Sequence, residues 1–146
     1  MQVCGVEIKG TEAVISLLSM HDGLVNIPEC RVRKIEYTKK NTTSDLRYFQ
    51  STFAKLIEDY KIDAVVIKER PLKGKFAGGA LGFKMEAAIQ LIPELNVQVI
   101  SNFELKEILN HNPIPVEFSD TGLKIFQQLA FNAAYAFLMT NNIKSV

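Results

Sequence analysis

The order of strand-like and helix-like segments is the feature that most constrains the fold of this chain. Residues 3–9 and 12–20 are rich in Val, Ile and Leu and are separated only by Gly10 and Thr11, which predicts two antiparallel strands joined by a tight turn. Residues 31–37 alternate polar and apolar side chains, as expected of a half-exposed strand at the edge of a sheet. The chain therefore opens with a predicted meander of three antiparallel strands.

The next segment has a helical pattern and then a buried-strand pattern. Large apolar side chains recur at helical spacing between Leu46 and Tyr60, and Thr43 or Ser44 can cap this helix. Residues 64–67 form a short continuous apolar run, which is typical of a strand that is parallel to its neighbour and covered on both faces. The topology therefore changes here from antiparallel to α/β.

The rest of the chain repeats the alternation of helix and strand. We predict a helix from about residue 80 to residue 92, where Pro93 ends it, and a strand at residues 97–100. A short helix is predicted at residues 103–109 and a long final helix from about residue 120 to residue 139. The complete order predicts an α/β fold in which a mixed five-stranded sheet, three antiparallel strands and then two parallel ones, is flanked by helices.

Length and composition fit one globular domain, residues 1–146, and exclude several classes of protein. A net charge of +1 excludes a histone-like binder that holds nucleic acid by charge alone, but it is compatible with a local basic patch. Cys4 and Cys30 form no C-x-x-C pair, so we expect no thiolate zinc site, no disulfide framework and a reducing cytosol. Without a secretory pattern or an apolar run of roughly 18 residues, we predict a cytoplasmic protein with no membrane partner.

Three segments, in this order, resemble motifs of the ribonuclease H-like superfamily, and within it the branch of the RuvC Holliday-junction resolvases. Residues 3–10 resemble the first-strand motif, in which an apolar strand delivers an acid just before a glycine turn. Residues 65–70 and 80–82 resemble the fourth-strand acid and the small-residue start of the next helix, and residues 131–137 resemble the Ala-rich helix that brings the last acid. The opening Cys-Gly-Val-Glu is also similar to a small bacterial family known only as a domain of unknown function.

This resemblance implies a nuclease that depends on Mg²⁺ or Mn²⁺ held by acids from separate elements. It implies that Glu7 and Glu69 are catalytic residues and metal ligands. Asn132 stands where the family carries its final acid, and its amide oxygen can coordinate a metal but brings no negative charge. The implied substrate is structured DNA or RNA, and the implied assembly is a homodimer.

The residues themselves leave other assignments open. Glu7 would be costly to bury among apolar neighbours without a cation, but a glutamate at a strand end can instead face solvent or pair with Lys9 or Lys68. A small change of register would turn Lys68 rather than Glu69 into the site, where its ammonium would replace the metal. Asn132 can equally belong to a polar helix face. A third carboxylate has three candidate sources: Glu36, Glu117 and Asp120.

The segment from residue 68 to residue 84 combines cations with four glycines. Its position ahead of a helix favours phosphate contacts, because backbone N–H groups and cations would act together, and an aromatic ring in the loop would stack on a base. The alternative is a solvated loop without a ligand. The predicted nucleic-acid-binding residues are Lys68, Arg70, Lys73, Lys75, Phe76 and Lys84.

The sequence is compatible with two functions. The first is a metal-dependent nuclease that acts on structured nucleic acid. The second is a non-catalytic module of the same fold that binds nucleic acid or a protein partner through the basic loop. Because Asn132 replaces the final acid, the sequence does not by itself establish catalytic activity.

Overall fold

The computed structural model describes residues 1–38, 40–73 and 78–144, with only the helical backbone for 141–144. Within these ranges, six strands form one mixed sheet: β1 (Gln2–Lys9), β2 (Glu12–His21), β3 (Leu24–Asn26), β4 (Lys34–Glu36), β5 (Ala64–Lys68) and β6 (Asn96–Ile100). The helices are α1 (Thr43–Asp59), α2 (Ala80–Gln90), α3 (Asn102–His111) and α4 (Gln128–Lys144), and 3-10 turns lie at Phe118–Thr121 and Ile125–Gln127.

The predicted mixed sheet is confirmed. The strand order is β3-β2-β1-β5-β6, and β4 pairs with a different part of β2 from the part that pairs with β3. β1 is antiparallel to β2, with Gln2 opposite Ser19 and Lys9 opposite Glu12, and β5 is parallel to both β1 and β6. The short strand β3 adds a sixth strand to the five that were predicted.

The predicted bounds of two helices were wrong. Thr42, rather than Thr43 or Ser44, caps α1, because Thr42 keeps an extended backbone and its side chain accepts a hydrogen bond from the Asp45 N–H. The final helix begins at Gln128 rather than near residue 120. Gly122 has a φ of +80°, a left-handed conformation that ends the first 3-10 turn before the helix begins.

Helices cover the sheet on both faces, which explains why its central strands are continuously apolar. One face of β1 packs on α1 and α2, where Phe49, Phe53, Met85 and Ile89 are buried with Cys4, Val6 and Ile8. The other face packs on α4, where Ala133, Ala134 and Phe137 are buried with Val3 and Val66. In the described part of the chain, no helix is long and apolar enough to cross a bilayer.

Gly5 allows α4 to contact the backbone of β1 directly. A Cβ atom at this position would lie 1.9 Å from the carbonyl oxygen of Ala130 and 3.0 Å from the Ala134 Cβ. The first of these atoms belongs to a helix backbone, which cannot move aside as a flexible side chain can. The helix and the strand therefore lie together at a distance that only glycine allows.

We expect Gly5→Ala to lower the free energy of unfolding by roughly 3 kcal/mol, the upper end of what overpacking a core costs. Gly79→Ala is the matched control, since a Cβ at Gly79 meets nothing within 4 Å. Urea unfolding of the two variants measures the difference. Equal stability of both variants would contradict the direct backbone contact.

Candidate functional site

The carboxyl ends of β1 and β5 bring the two predicted acids together. These neighbouring strands are parallel, with Val6 opposite Ile67, so the residues that follow each of them emerge at the same edge of the sheet. Glu7 and Glu69 line one cavity of about 180 Å³ together with Lys68, Arg70 and Gly78. We call this space the acid cavity.

Glu7 is buried and poorly compensated. The residue is only 8% exposed, and its Oε1 has no hydrogen-bond partner among the described residues. The Lys9 ammonium lies 3.5 Å from Oε1, but the lysine side chain is 51% exposed, and an ion pair with such a partner stabilises little. Glu7 therefore does not face solvent, and the Lys9 pairing that the sequence left open is present but weak.

The sequence left open whether Lys68 or Glu69 faces the site. Both residues line the acid cavity. Lys68 is half-buried and Glu69 is exposed, and the Glu69 N–H donates to the Ile100 carbonyl at 2.7 Å. This hydrogen bond extends the link between β5 and β6 by one residue. Among the described residues, Lys68 makes no ion pair with Glu7.

The Arg70 side chain lies in a recess at the start of α2. The recess is formed by two glycines, because a Cβ at Gly82 would lie 1.3 Å from the Arg70 Nη1 and one at Gly78 would lie 2.7 Å from its Cζ. The guanidinium donates to the Gly79 carbonyl at 3.3 Å and lies 5.2 Å from the centre of the Phe83 ring. Arg70 therefore connects the end of β5 to the first turn of α2.

Glu86 is a third carboxylate in this neighbourhood that the sequence reasoning missed. It is half-buried on α2, and its Oε2 has no hydrogen-bond partner among the described residues. Burial raises the pKa of Glu86, the Arg70 charge opposes this rise, and the Glu69 charge adds to it. The signal in the sequence was the spacing of four residues between Gly82 and Glu86, which places them on one side of α2.

The remaining predicted residues lie outside the lining of the acid cavity. Asn132 is half-buried on α4, Lys73 is exposed, and Lys84 donates to the Asn41 side chain at 2.9 Å. The three alternative acids, Glu36, Glu117 and Asp120, are all exposed. Lys75 and Phe76 lie outside the described residues.

The donor set fits a single hard cation better than a pair of metal ions. The carboxylates of Glu7 and Glu69 are two oxygen donors of the kind that a hard cation prefers, and Mg²⁺ is commonly held by one or two carboxylates together with water and phosphate. Within the described ranges, no three His, Cys, Asp or Glu side chains come together as a metal-binding group. Lys68 and Arg70 in the same lining would favour an anion beside the cation.

Solved structures of resolvases have similar folds. RuvC from Thermus thermophilus matches with a TM-score of 0.73 and 9% identity, over 99% of this chain and 97% of that chain. RuvC from the same organism in complex with a Holliday junction substrate matches with a TM-score of 0.73 and 7% identity, over 100% and 98%. The fowlpox virus resolvase in complex with Holliday junction DNA matches with a TM-score of 0.54 and 13% identity, over 97% and 98%.

At these identities the likeness shows the fold alone, which is the ribonuclease H-like fold of the RuvC type that the sequence motifs implied. A family model described as "Protein of unknown function (DUF3010)" matches residues 1–137. No curated protein matches the chain.

We expect Gly82→Ala and Arg70→Ala to be coupled in stability. Ala is favoured over Gly in a helix by roughly 0.5–1 kcal/mol. When Arg70 is present, the new methyl group displaces its guanidinium, and the lost guanidinium contacts offset this gain. In the Arg70→Ala background this offset disappears, and Gly82→Ala becomes stabilising. A double-mutant cycle by urea unfolding measures the coupling energy, expected near 1 kcal/mol. An identical effect of Gly82→Ala in both backgrounds would show that Arg70 does not occupy the recess.

We expect Glu86→Gln to stabilise the protein at neutral pH. A carboxyl whose pKa is raised by folding favours the folded state while it is protonated, and this contribution is lost as the pH rises through the folded value. The glutamine stays neutral, so its advantage should be largest at pH 7 and should shrink as the pH falls toward about 4, the ordinary value for glutamate. Thermal unfolding between these pH values tests this, with the exposed Glu58→Gln as control. A constant difference across the range would exclude the titration of Glu86 as the cause.

Proposed function

The chain belongs to the family described as "Protein of unknown function (DUF3010)", and we propose that it is a divalent-metal-dependent nuclease that acts on structured DNA or RNA. One observation carries the proposal: Glu7, which has a buried carboxylate oxygen without a hydrogen-bond partner among the described residues, lines the same cavity as Glu69. The fold adds support, because the similar resolvases of Thermus thermophilus and fowlpox virus were solved with Holliday junction DNA.

Glu7 and Glu69 are the proposed ligands of Mg²⁺ or Mn²⁺. A buried anion is costly, and the exposed Lys9 compensates Glu7 little, so a cation at Oε1 would relieve a penalty that the free protein carries. When bound, the metal would activate a water molecule and stabilise negative charge on a phosphodiester. Asn132 is a proposed auxiliary ligand, because it stands where the resemblance places the final acid and its amide oxygen can coordinate a metal.

The cations of the same region are the proposed contacts to the nucleic-acid backbone. Lys68 and Arg70 border the acid cavity, where each would attract a phosphate to the side of the carboxylates. Arg70 is held in its recess by the Gly79 carbonyl and the Phe83 ring, so its charge has a fixed position. We include Lys73, Lys75, Phe76 and Lys84 as further contacts, and we propose a homodimer because a four-way junction has two equivalent strands to cut.

We expect Mn²⁺ to bind the wild-type chain with saturable heat in a calorimetric titration and to lose this binding in Glu7→Gln. The substitution keeps the size of the side chain and removes the charge that a hard cation requires. Glu12→Gln is the matched control, because Glu12 lies on the neighbouring strand, pairs with Lys34 and is outside the acid cavity.

Loss of the heat in Glu7→Gln alone, with a melting temperature no lower than that of the wild-type chain, supports the proposed metal site. Equal binding by the wild-type chain and Glu7→Gln, or no binding by any of the three proteins, would refute it. Cleavage of branched DNA and of RNA–DNA hybrids in Mn²⁺ then tests the nuclease itself.

A second candidate function is a non-catalytic module that binds nucleic acid through the same cations. The observation that favours it is that the described lining of the acid cavity combines two cations, Lys68 and Arg70, with two carboxylates. For this function we expect binding of a four-way DNA junction that persists in EDTA and weakens steeply with salt, as phosphate contacts require. Binding that requires divalent metal would favour the nuclease, and no binding even at low salt would exclude the module as a nucleic-acid binder.

A further inference from the structure

A second cavity, of about 200 Å³, lies at the outer edge of β2 and is unrelated to the acid cavity. Its walls come from the middle of β2, from the loop between β3 and β4, and from the segment before α4. We call it the edge cavity. The two cavities share no lining residue, so a ligand bound here would be independent of the proposed nuclease chemistry.

The edge cavity exists because the outer edge of β2 is paired only at its two ends. β4 pairs with residues 12–14 and β3 pairs with residues 19–21, and the Ile15 N–H donates to the Arg33 carbonyl at 2.9 Å. Backbone groups of alternate residues point to the same side of a strand, so the N–H and C=O of Leu17 point to this edge as those of Ile15 do. Neither group of Leu17 has a hydrogen-bond partner among the residues that the structure describes.

Ser16 adds an unpartnered hydroxyl to the lining. The residue is 3% exposed, and its Oγ has no hydrogen-bond partner in the described part of the chain. The nearby Gln127 amide does not satisfy it, because that amide donates to the Ile15 carbonyl at 2.8 Å and accepts from the Lys124 N–H at 3.0 Å. Buried polar groups without partners are costly, so a ligand that pairs with them would recover free energy.

The shape of the gap restricts what can pair with Leu17. The ladder to β3 closes one end and the Arg33 hydrogen bond closes the other, so an added strand cannot lie along this edge. The N–H and C=O of one strand residue lie side by side. They can therefore bind a ligand in which a hydrogen-bond acceptor and a donor are adjacent in one plane. Ile27, Pro28, Val32 and Leu123 line the cavity with apolar groups that would cover a flat ring.

We propose that the edge cavity binds a small planar heterocycle of the nucleobase class through its lactam edge. The Leu17 N–H and C=O bind the adjacent acceptor and donor of the ring, and the Ser16 hydroxyl binds a second polar atom. The volume is several times the roughly 30 Å³ that one water molecule occupies in the liquid, so a single ring fits where several waters would otherwise lie.

The test is a titration of the full ¹⁵N-labelled chain with uracil, followed by ¹H–¹⁵N NMR, with 1,3-dimethyluracil as the matched ligand. Uracil carries the adjacent donor and acceptor, whereas both N–H donors are methylated in the control. We expect saturable shifts of the Leu17 and Ser16 amide signals with uracil and none with the control. Equal shifts with both compounds, or no saturable shift with uracil, would overturn the proposal and leave a cavity that holds only water.

Ser16→Ala separates a ligand-binding hydroxyl from a structural one. Because the hydroxyl has no partner in the free chain, its removal should not lower the melting temperature, whereas a structural hydroxyl would do so. Uracil binding should weaken roughly threefold to tenfold, as expected for one neutral hydrogen bond. Ser19→Ala, a buried serine outside the lining, should leave binding unchanged. Unchanged affinity in Ser16→Ala would refute the role of this hydroxyl.

Discussion

The close contact between β1 and α4 is the constraint on which the rest of the structure depends. The Ala130 carbonyl lies where a side chain at residue 5 would begin, so the distance between helix and sheet is set by the absence of that side chain. Side chains alternate along a strand, and Val3, Gly5 and Glu7 therefore share the face that α4 covers. The same alternation that buries Val3 also carries the Glu7 carboxylate out of water.

Because Glu7 is buried, the charges around the acid cavity determine how well its carboxylate is compensated. Two carboxylates and two cations border one small space, and on the α2 side Glu86 has a raised pKa because of its burial. Glu7 is buried whereas the side chain of Lys9 is 51% exposed, so the Lys9 pair compensates the Glu7 charge little. The proposed cation beside the carboxylates and the proposed phosphate beside Lys68 and Arg70 would each bring the opposite charge to these groups.

The sequence predicted the elements whose patterns are local and long. Continuous apolar runs identified β1, β2 and β5, and the motif order placed Glu7 and Glu69 at neighbouring strand ends. β3 has only three residues, which are too few for an alternating pattern. It pairs with β2 across the turn formed by Asp22 and Gly23. The start of α4 was misplaced because the apolar residues of the 3-10 turns imitate a helical period.

Other features depend on contacts that no local pattern shows. The Arg70 recess needs Gly78 and Gly82 to lie beside a residue from the end of β5, and the edge cavity needs two short strands to pair with separate parts of β2. Both arise from tertiary packing, so the sequence offered only the glycine spacing as a signal. The role of Asn132 was inferred from its place in a motif, and Asn132 is not among the residues that line the acid cavity.

The central claim is that Glu7 and Glu69 form one cation-binding centre. The most direct measurement is the paramagnetic broadening of ¹H–¹⁵N signals by Mn²⁺ added well below one equivalent, because the broadening falls off steeply with distance from the bound ion. The proposed centre predicts selective loss of the amide signals of Glu7, Ile8, Lys68, Glu69 and Arg70, with those of β3, which pairs with the far end of β2, preserved. Broadening centred on other carboxylates, or spread evenly over the surface, would contradict it.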